Sequence, residues 1–121
     1  MLFDTTQLAL QGVISGAAKR HEALAANIAN ANTPGYQRVD VDFHGALAAA
    51  IGRGRDAPTA LEGMTFAAER DRSAGALQAD GSTVDTESEA AKLAQNALES
   101  QAAVQVAAAR IAILKSAMGT N

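Results

Sequence analysis

The sequence predicts a mainly α chain. Its long N- and C-terminal helices pack as an antiparallel coiled-coil pair, and an extended, irregular middle arm joins them. Three observations carry this. Apolar residues recur at heptad spacing near both ends. A Thr-Pro-Gly-Tyr turn, Thr33 to Tyr36, stops the first helical pattern. The segment after residue 51 holds few large apolar residues. The segments are 1–32, 33–81 and 82–121, within one elongated domain.

The first helix runs from about Asp4 to about Ala31. Asp4, Thr5 and Thr6 offer capping oxygens. Phe3, Leu10, Ile14, Ala17, Leu24 and Ile28 form the seam, with His21 at its one polar position. Gly12 and Gly16 each weaken the helix by about 1 kcal/mol relative to Ala. Both admit a close neighbour. Pro34 bars helical geometry at Thr33, so the helix ends before it. Asn30 or Asn32 can take a left-handed closing position. Thr33–Tyr36 fits a type II turn, with Gly35 at the position that needs positive φ. Asn27 and Asn30 lie three apart on one helix face, where Asn is a poor helix former. They are either solvated near a frayed end or bonded to a neighbouring subunit.

Beyond the turn, Val39, Val41 and Phe43 alternate with Arg38, Asp40 and Asp42, giving an extended segment with one apolar face. Phe43, Leu47 and Ile51 then mark a short helix. From Gly52 to Gly81 the chain reads as loop, short strand or partial disorder. The last helix spans about Thr86 to Met118. Thr86 to Glu89 reads as a capping box, with Asp85 as the alternative cap. Its seam is Ala90, Leu93, Ala97, Ser100, Val104, Ala107, Ile111, Leu114 and Met118. Gly119 closes it. A second apolar line, Leu98, Ala102, Val106, Ala109 and Ile113, lies on another face. A helix apolar on two faces is surrounded, and this chain has too few other elements to surround it. At 1.5 Å per residue the helix is roughly 50 Å long, against about 35 Å for a compact ball of this chain length.

Composition agrees. Apolar residues make up 48% of 121 residues, but about 30 of them are alanine, and aromatic residues are 3%. Small side chains return little against ordering entropy, so the monomer is marginal. Net charge is −3, with no basic patch to hold nucleic acid. Without cysteine there are no disulfides or thiolate metal sites. No basic, apolar leader is present for cleavage, and no run of 18 apolar residues crosses a membrane. His21 reads as a partly buried or interface residue. Asp40 and Asp42 read as a solvated face, and Arg53 and Arg55 as solvated or paired with a neighbour's acids. No catalytic, metal or cofactor constellation emerges, and no small-molecule substrate is implied.

The stretch LAANIANANTPGYQRVDVDF, Leu24 to Phe43, resembles the N-terminal signature of bacterial flagellar axial proteins, the rod and hook family. The turn followed by D-x-D-F is most similar to the family's proximal rod members. A second element, DGSTVD from Asp80 to Asp85, is similar to the G-N-x-V-D element before the C-terminal helix, with Ser82 where Asn is common. The resemblance covers about residues 8–51 and 80–118. It implies a structural, non-enzymatic rod subunit that transmits torque, with no cofactor. It implies terminal helices that form a coiled-coil inner tube. It further implies export by the flagellar type III system without a cleaved signal, and assembly in the periplasm. The implied partners are copies of the chain in a helical assembly, other rod proteins, a basal adaptor, and export-gate and membrane-ring proteins. On this reading Leu10, Ile14, Leu24, Ile28, Val104, Ile111 and Leu114 form the intramolecular seam. Leu98, Val106 and Ile113 face neighbours. Asn27, Asn30, Thr33, Pro34, Gly35 and Tyr36 set how the arm leaves the tube. The alternatives are another flagellar axial protein or a soluble helical adaptor or chaperone that binds a partner helix.

Overall fold

The computed structural model describes residues 4–73, 75 and 81–119. Phe3 of the predicted seam and Asp80 of the second signature lie outside these. Among the described residues the order is α1 (Thr5–Ala29), β1 (Val39–Asp40), α2 (Phe43–Ile51), a 3₁₀ turn (Gly54–Asp56), α3 (Ala57–Leu61), β2 (Glu69–Arg70) and α4 (Thr86–Ala117). The chain is mainly helical, and the two long terminal helices pack against each other.

Each helix boundary has a chemical cause. Asp4 caps α1 by accepting from the Gln7 amide at 2.9 Å. Asp42 caps α2 by accepting from the Gly45 amide at 3.0 Å. Asp85, not the Thr86–Glu89 box, caps α4, accepting from the amides of Glu87 and Ser88. Glu89 is thereby released for another role. Gly119, at φ +73°, closes α4. The exit from α1 differs from the expected left-handed asparagine, since no described non-glycine residue has positive φ. Asn30 closes the helix at φ −104°, and a turn from Asn30 O to Thr33 N at 2.9 Å follows. The next turn matches expectation. Tyr36 N donates to Thr33 O at 3.1 Å, and Gly35 sits at φ +71°.

Residues 74 and 76–80 of the segment expected to be irregular lie outside the described residues, and its described part is more ordered than its composition suggests. It folds back on α1 and supplies the main apolar core. Ala17, Ala23, Val41, Phe43, Leu47, Ala50 and Leu61 are buried together, with Leu8, Val13, Met64 and Phe66 packed around them. β1 and β2 pair antiparallel, Val39 opposite Arg70 and Asp40 opposite Glu69. The predicted alternation runs only to Val41. Phe43 opens α2 instead of continuing the strand, because Asp42 caps a helix there. Ile51, the third residue of the predicted apolar line, is exposed.

Gly12 and Gly16 explain how α2 lies so close to α1. A Cβ at Gly16 would overlap the Cβ and ring of Phe43, and one at Gly12 would reach Leu47 Cδ2 at 2.5 Å. Both approaches come from within the chain. They differ in kind, because the Leu47 tip can turn away and the root of Phe43 cannot. Gly16→Ala is expected to lower stability by about 1–3 kcal/mol, the usual cost of overpacking. Gly12→Ala should cost less, with part of its strain offset by the better helix propensity of Ala. Urea denaturation of the two variants measures the difference. Equal midpoints would contradict the packing described.

Candidate functional site

The candidate site is the junction where α1, the arm and α4 meet, together with the outer surface of α4 that this junction orients. Arg38 stands at its centre, 5% exposed. Its Nε donates to Glu89 Oε1 at 2.7 Å, and its Nη2 donates to Asp40 Oδ2 at 3.1 Å. Its Nη1 donates to Asp71. Arg20 of α1 pairs with Asp40 from the other side at 2.9 Å. Two cations thus face three carboxylates. Burial works against the charge of Arg38, but the hydrogen bonds to Glu89, Asp40 and Asp71 outweigh it and hold its pKa above the ordinary value. The Ser73 hydroxyl, then its amide and Arg38, hold the Asp71 carboxyl down to about 2. Burial pushes Asp40 up, and Arg20, the Val41 amide and Arg38 together bring it below its usual value.

Asn27 joins this cluster to α1. It is fully buried, and its amide closes two bonds with one residue of the arm. Nδ2 donates to Val39 O at 2.7 Å, and Oδ1 accepts from Val39 N at 2.9 Å. Nδ2 also donates to Glu89 at 3.1 Å, and Oδ1 accepts from the Tyr36 hydroxyl at 3.2 Å. Burial, then the nearby Glu89 charge, raises the Tyr36 pKa. Asn27 is therefore neither solvated nor available to a neighbouring subunit. Its hydrogen-bonding capacity is used to dock the arm. Asn30 is half-buried and bonds locally, donating to Ala26 O at 2.9 Å and accepting from Thr33 Oγ1 at 3.3 Å.

The two sequence signatures meet here. Arg38 N donates to Thr83 Oγ1 at 2.8 Å, and Thr83 N donates to Tyr36 O at 3.1 Å. Ser82 Oγ donates to Ala31 O at 3.2 Å. Gly81 lies against Gly35: a Cβ on it would meet the Gly35 Cα at 3.8 Å. Thr33, Pro34 and Gly35 are exposed beside this contact, and Tyr36 is half-buried.

Three polar contacts set α4 against α1. Arg110 reaches Asp4 at 2.9 Å, Asn96 Nδ2 donates to Ala17 O at 2.8 Å, and Asn27 bonds Glu89. These contacts correct the predicted seam. Leu93, Ser100, Ala107 and Leu114 do face inward, but their companions are Glu89, Asn96, Ala103 and Arg110. The expected set, one residue further on, was Ala90, Ala97, Val104 and Ile111. Val104 and Ile111 are instead 48% and 43% exposed. The physical reason is that the amide and the charged groups find partners on α1 and the arm only in this rotation. On α1, Leu24 is fully buried, while Leu10, Ile14 and Ile28 are half-buried. His21 is exposed at the rim of the α1–α4 groove. Leu98, Val106 and Ile113 point outward, at 69%, 49% and 68% exposure.

Sequence reasoning missed Arg38, Thr83, Glu89 and Asn96. Asp40 was read as solvated, yet it is paired with two arginines. Glu89 had fitted a capping box, which masked its role. One signal was available: Glu89, Leu93, Asn96, Ser100 and Ala103 also follow a heptad.

Two outcomes follow from the cluster. Arg38→Met strands Glu89 in a dry site, and breaking a buried pair in this way costs about 3–5 kcal/mol. A urea midpoint close to that of the parent would contradict the geometry. Asp40 and Asp71 titrate below their unfolded value of about 3.9. Their contribution is therefore complete above that pH and is lost as pH falls, for Asp71 through about 2. Stability measured against pH should hold down to about 5 and fall between about 4 and 2.

Comparison with known proteins identifies the family. Residues 14–37 match the family described as flagella basal body rod protein, a span that holds the second half of α1 and the turn. The flagellar basal body rod protein FlgB of Escherichia coli is 38% identical over 109 residues, covering 78% of this chain and 78% of the relative. FlgB of Aeromonas hydrophila is 32% identical over 117 residues, covering 89% and 88%. FlgB of Salmonella typhimurium is 36% identical, covering 74% and 75%. With the signatures, the paired terminal helices and these relatives together, the chain belongs to the FlgB family of flagellar basal body rod proteins, which are structural subunits and not enzymes.

Proposed function

We propose that this chain is a subunit of the proximal rod, and that it polymerises through its terminal helices into the shaft that carries torque toward the hook. The observation that supports this best is the exposed apolar surface of α4. Leu98, Val104, Val106, Ile111, Ile113 and Met118 are all exposed on one helix. Scattered exposed apolar residues are ordinary, but here Val104, Ile111 and Met118 line one face and Leu98, Val106 and Ile113 another, and a helix left apolar and exposed on two faces marks an interaction surface. The α1–α4 seam is built largely from alanine and polar groups, so it yields modest burial of its own. The order of the α1–α4 contacts, start with end and end with start, supports an antiparallel coiled-coil pairing within one elongated unit.

The proposed neighbours are copies of this chain in a helical array and other rod proteins. A basal adaptor, the export gate and the membrane ring lie below, with no nucleic acid or small-molecule partner. The subunit would leave the cell by the flagellar type III route without cleavage and assemble in the periplasm. Leu10, Ile14, Leu24, Ile28 and Leu114 pack within the subunit. Leu98, Val104, Val106, Ile111 and Ile113 face its neighbours. Asn27, Asn30 and residues 33–36 fix the direction of the arm.

By length and composition α4 would also pass for a membrane-crossing helix. Gln101, Gln105 and Arg110 favour protein neighbours, since each is costly in hydrocarbon and ordinary against protein. A soluble adaptor would use the same face for one partner helix. Cryo-EM of purified basal bodies separates these readings, because only a rod subunit is found at rod level.

Ile111→Lys tests the surface itself. The position is exposed, so the isolated protein should keep its stability within about 0.5 kcal/mol. Incorporation into basal bodies and motility should both be lost. Normal motility with this variant would contradict the proposal.

A further inference from the structure

Two heptad lines run along α4, one residue apart, and only one is turned inward. Both include Leu93, Ser100, Ala107 and Leu114. The inward line adds Glu89, Asn96, Ala103 and Arg110, and the outward line adds Ala90, Ala97, Val104 and Ile111. Apolar burial alone favours the second set, because Val104 and Ile111 bring large apolar area and no polar atom. The two settings differ by a rotation of about 50°, half of one residue step. Something polar therefore holds the helix in the less apolar setting.

Asn96 sits midway along this inward line. It is 1% exposed, and its Nδ2 donates to the backbone oxygen of Ala17 at 2.8 Å. That carbonyl is within reach because Ala17, which lies beside Asn96, carries only a methyl group. The Oδ1 of Asn96 is buried without a hydrogen-bond partner among the described residues. An amide left half-satisfied in a seam gives up stability that an alkyl side chain would have supplied. Such a group is best accounted for by register, since a buried polar residue fixes which face of a helix meets its partner.

We infer that Asn96 is a positioning residue. By bonding Ala17 O it holds α4 in the rotation that leaves Val104 and Ile111 exposed beside the seam, an apolar surface separate from that of Leu98, Val106 and Ile113 on the far side of the helix. The purpose of that surface rests on the assembly proposed above. The rotation is a property of the isolated chain and is tested there.

The chain has no cysteine, so single cysteines at 103 or 104 report the rotation through their rate of reaction with a maleimide. In the folded parent, position 104 should react about tenfold or more faster than position 103. Moving the amide one residue, as Asn96→Ala with Ala97→Asn, should reverse that order. Asn96→Asp keeps the shape and removes the donor, so it should bring the two rates together. Helical circular dichroism is checked in each case. If moving the amide unfolds the protein, Asn96→Asp is decisive alone. An unchanged order in a folded variant overturns the inference. Labelling position 104 in purified basal bodies separates the two claims. Fast reaction there would defeat the assembly proposal and leave the role of Asn96 standing.

Discussion

The buried guanidinium of Arg38 is the constraint on which the rest of the structure depends. A charge that is 5% exposed is tolerable only when it is paired and hydrogen-bonded. Here its partners come from three places: Glu89 on α4, Asp71 beyond β2, and Asp40 on the arm, which Arg20 of α1 also holds. Satisfying that one group ties four segments together. Asn27 completes the clasp by treating the Val39 peptide as a strand partner would, giving and taking one hydrogen bond. The arm leaves α1 in a fixed direction because its peptide groups have nowhere better to go.

Apolar packing and polar clasping are divided between two regions. Phe43 and Leu47 pack against the bare backbone at Gly16 and Gly12, which gives α1 a firm apolar neighbour in α2. The α1–α4 contact has no comparable core. Ala103 and Ala107 bury little area each, and Asn96 and Arg110 take positions that leucine fills in a self-sufficient coiled coil. One side of the molecule is closed, and the other is left open along α4.

Much of this was legible in the sequence. Caps, the proline stop, the positive φ of Gly35 and the length of both terminal helices follow from local chemistry, which short spacings report well. The family signature in Leu24–Phe43 was equally plain. What the sequence hid is set by distant partners. Glu89 satisfies a local capping pattern, and nothing nearby says that its carboxylate belongs to Arg38, 51 residues away. Asp40 alternates like a solvated strand residue until two arginines arrive. The rotation of α4 was misjudged for a related reason. Periodicity ranks faces by apolarity, whereas this helix is oriented by an amide and two ion pairs. The middle segment looked irregular because its core is made of alanines and single large residues, a pattern too sparse for periodicity to register.

Together these features describe a subunit of the flagellar basal body rod whose fold is finished at one end and left open along one helix. Its firm part fixes the arm, and its open part awaits neighbours. Amide hydrogen exchange along α4 of the isolated protein tests this most directly. The account predicts slow exchange from Glu89 to Asn96, where the clasp and the Ala17 bond hold the helix, and progressively faster exchange beyond Ala107. Uniform protection through Ala117, at the level of global unfolding, would contradict it.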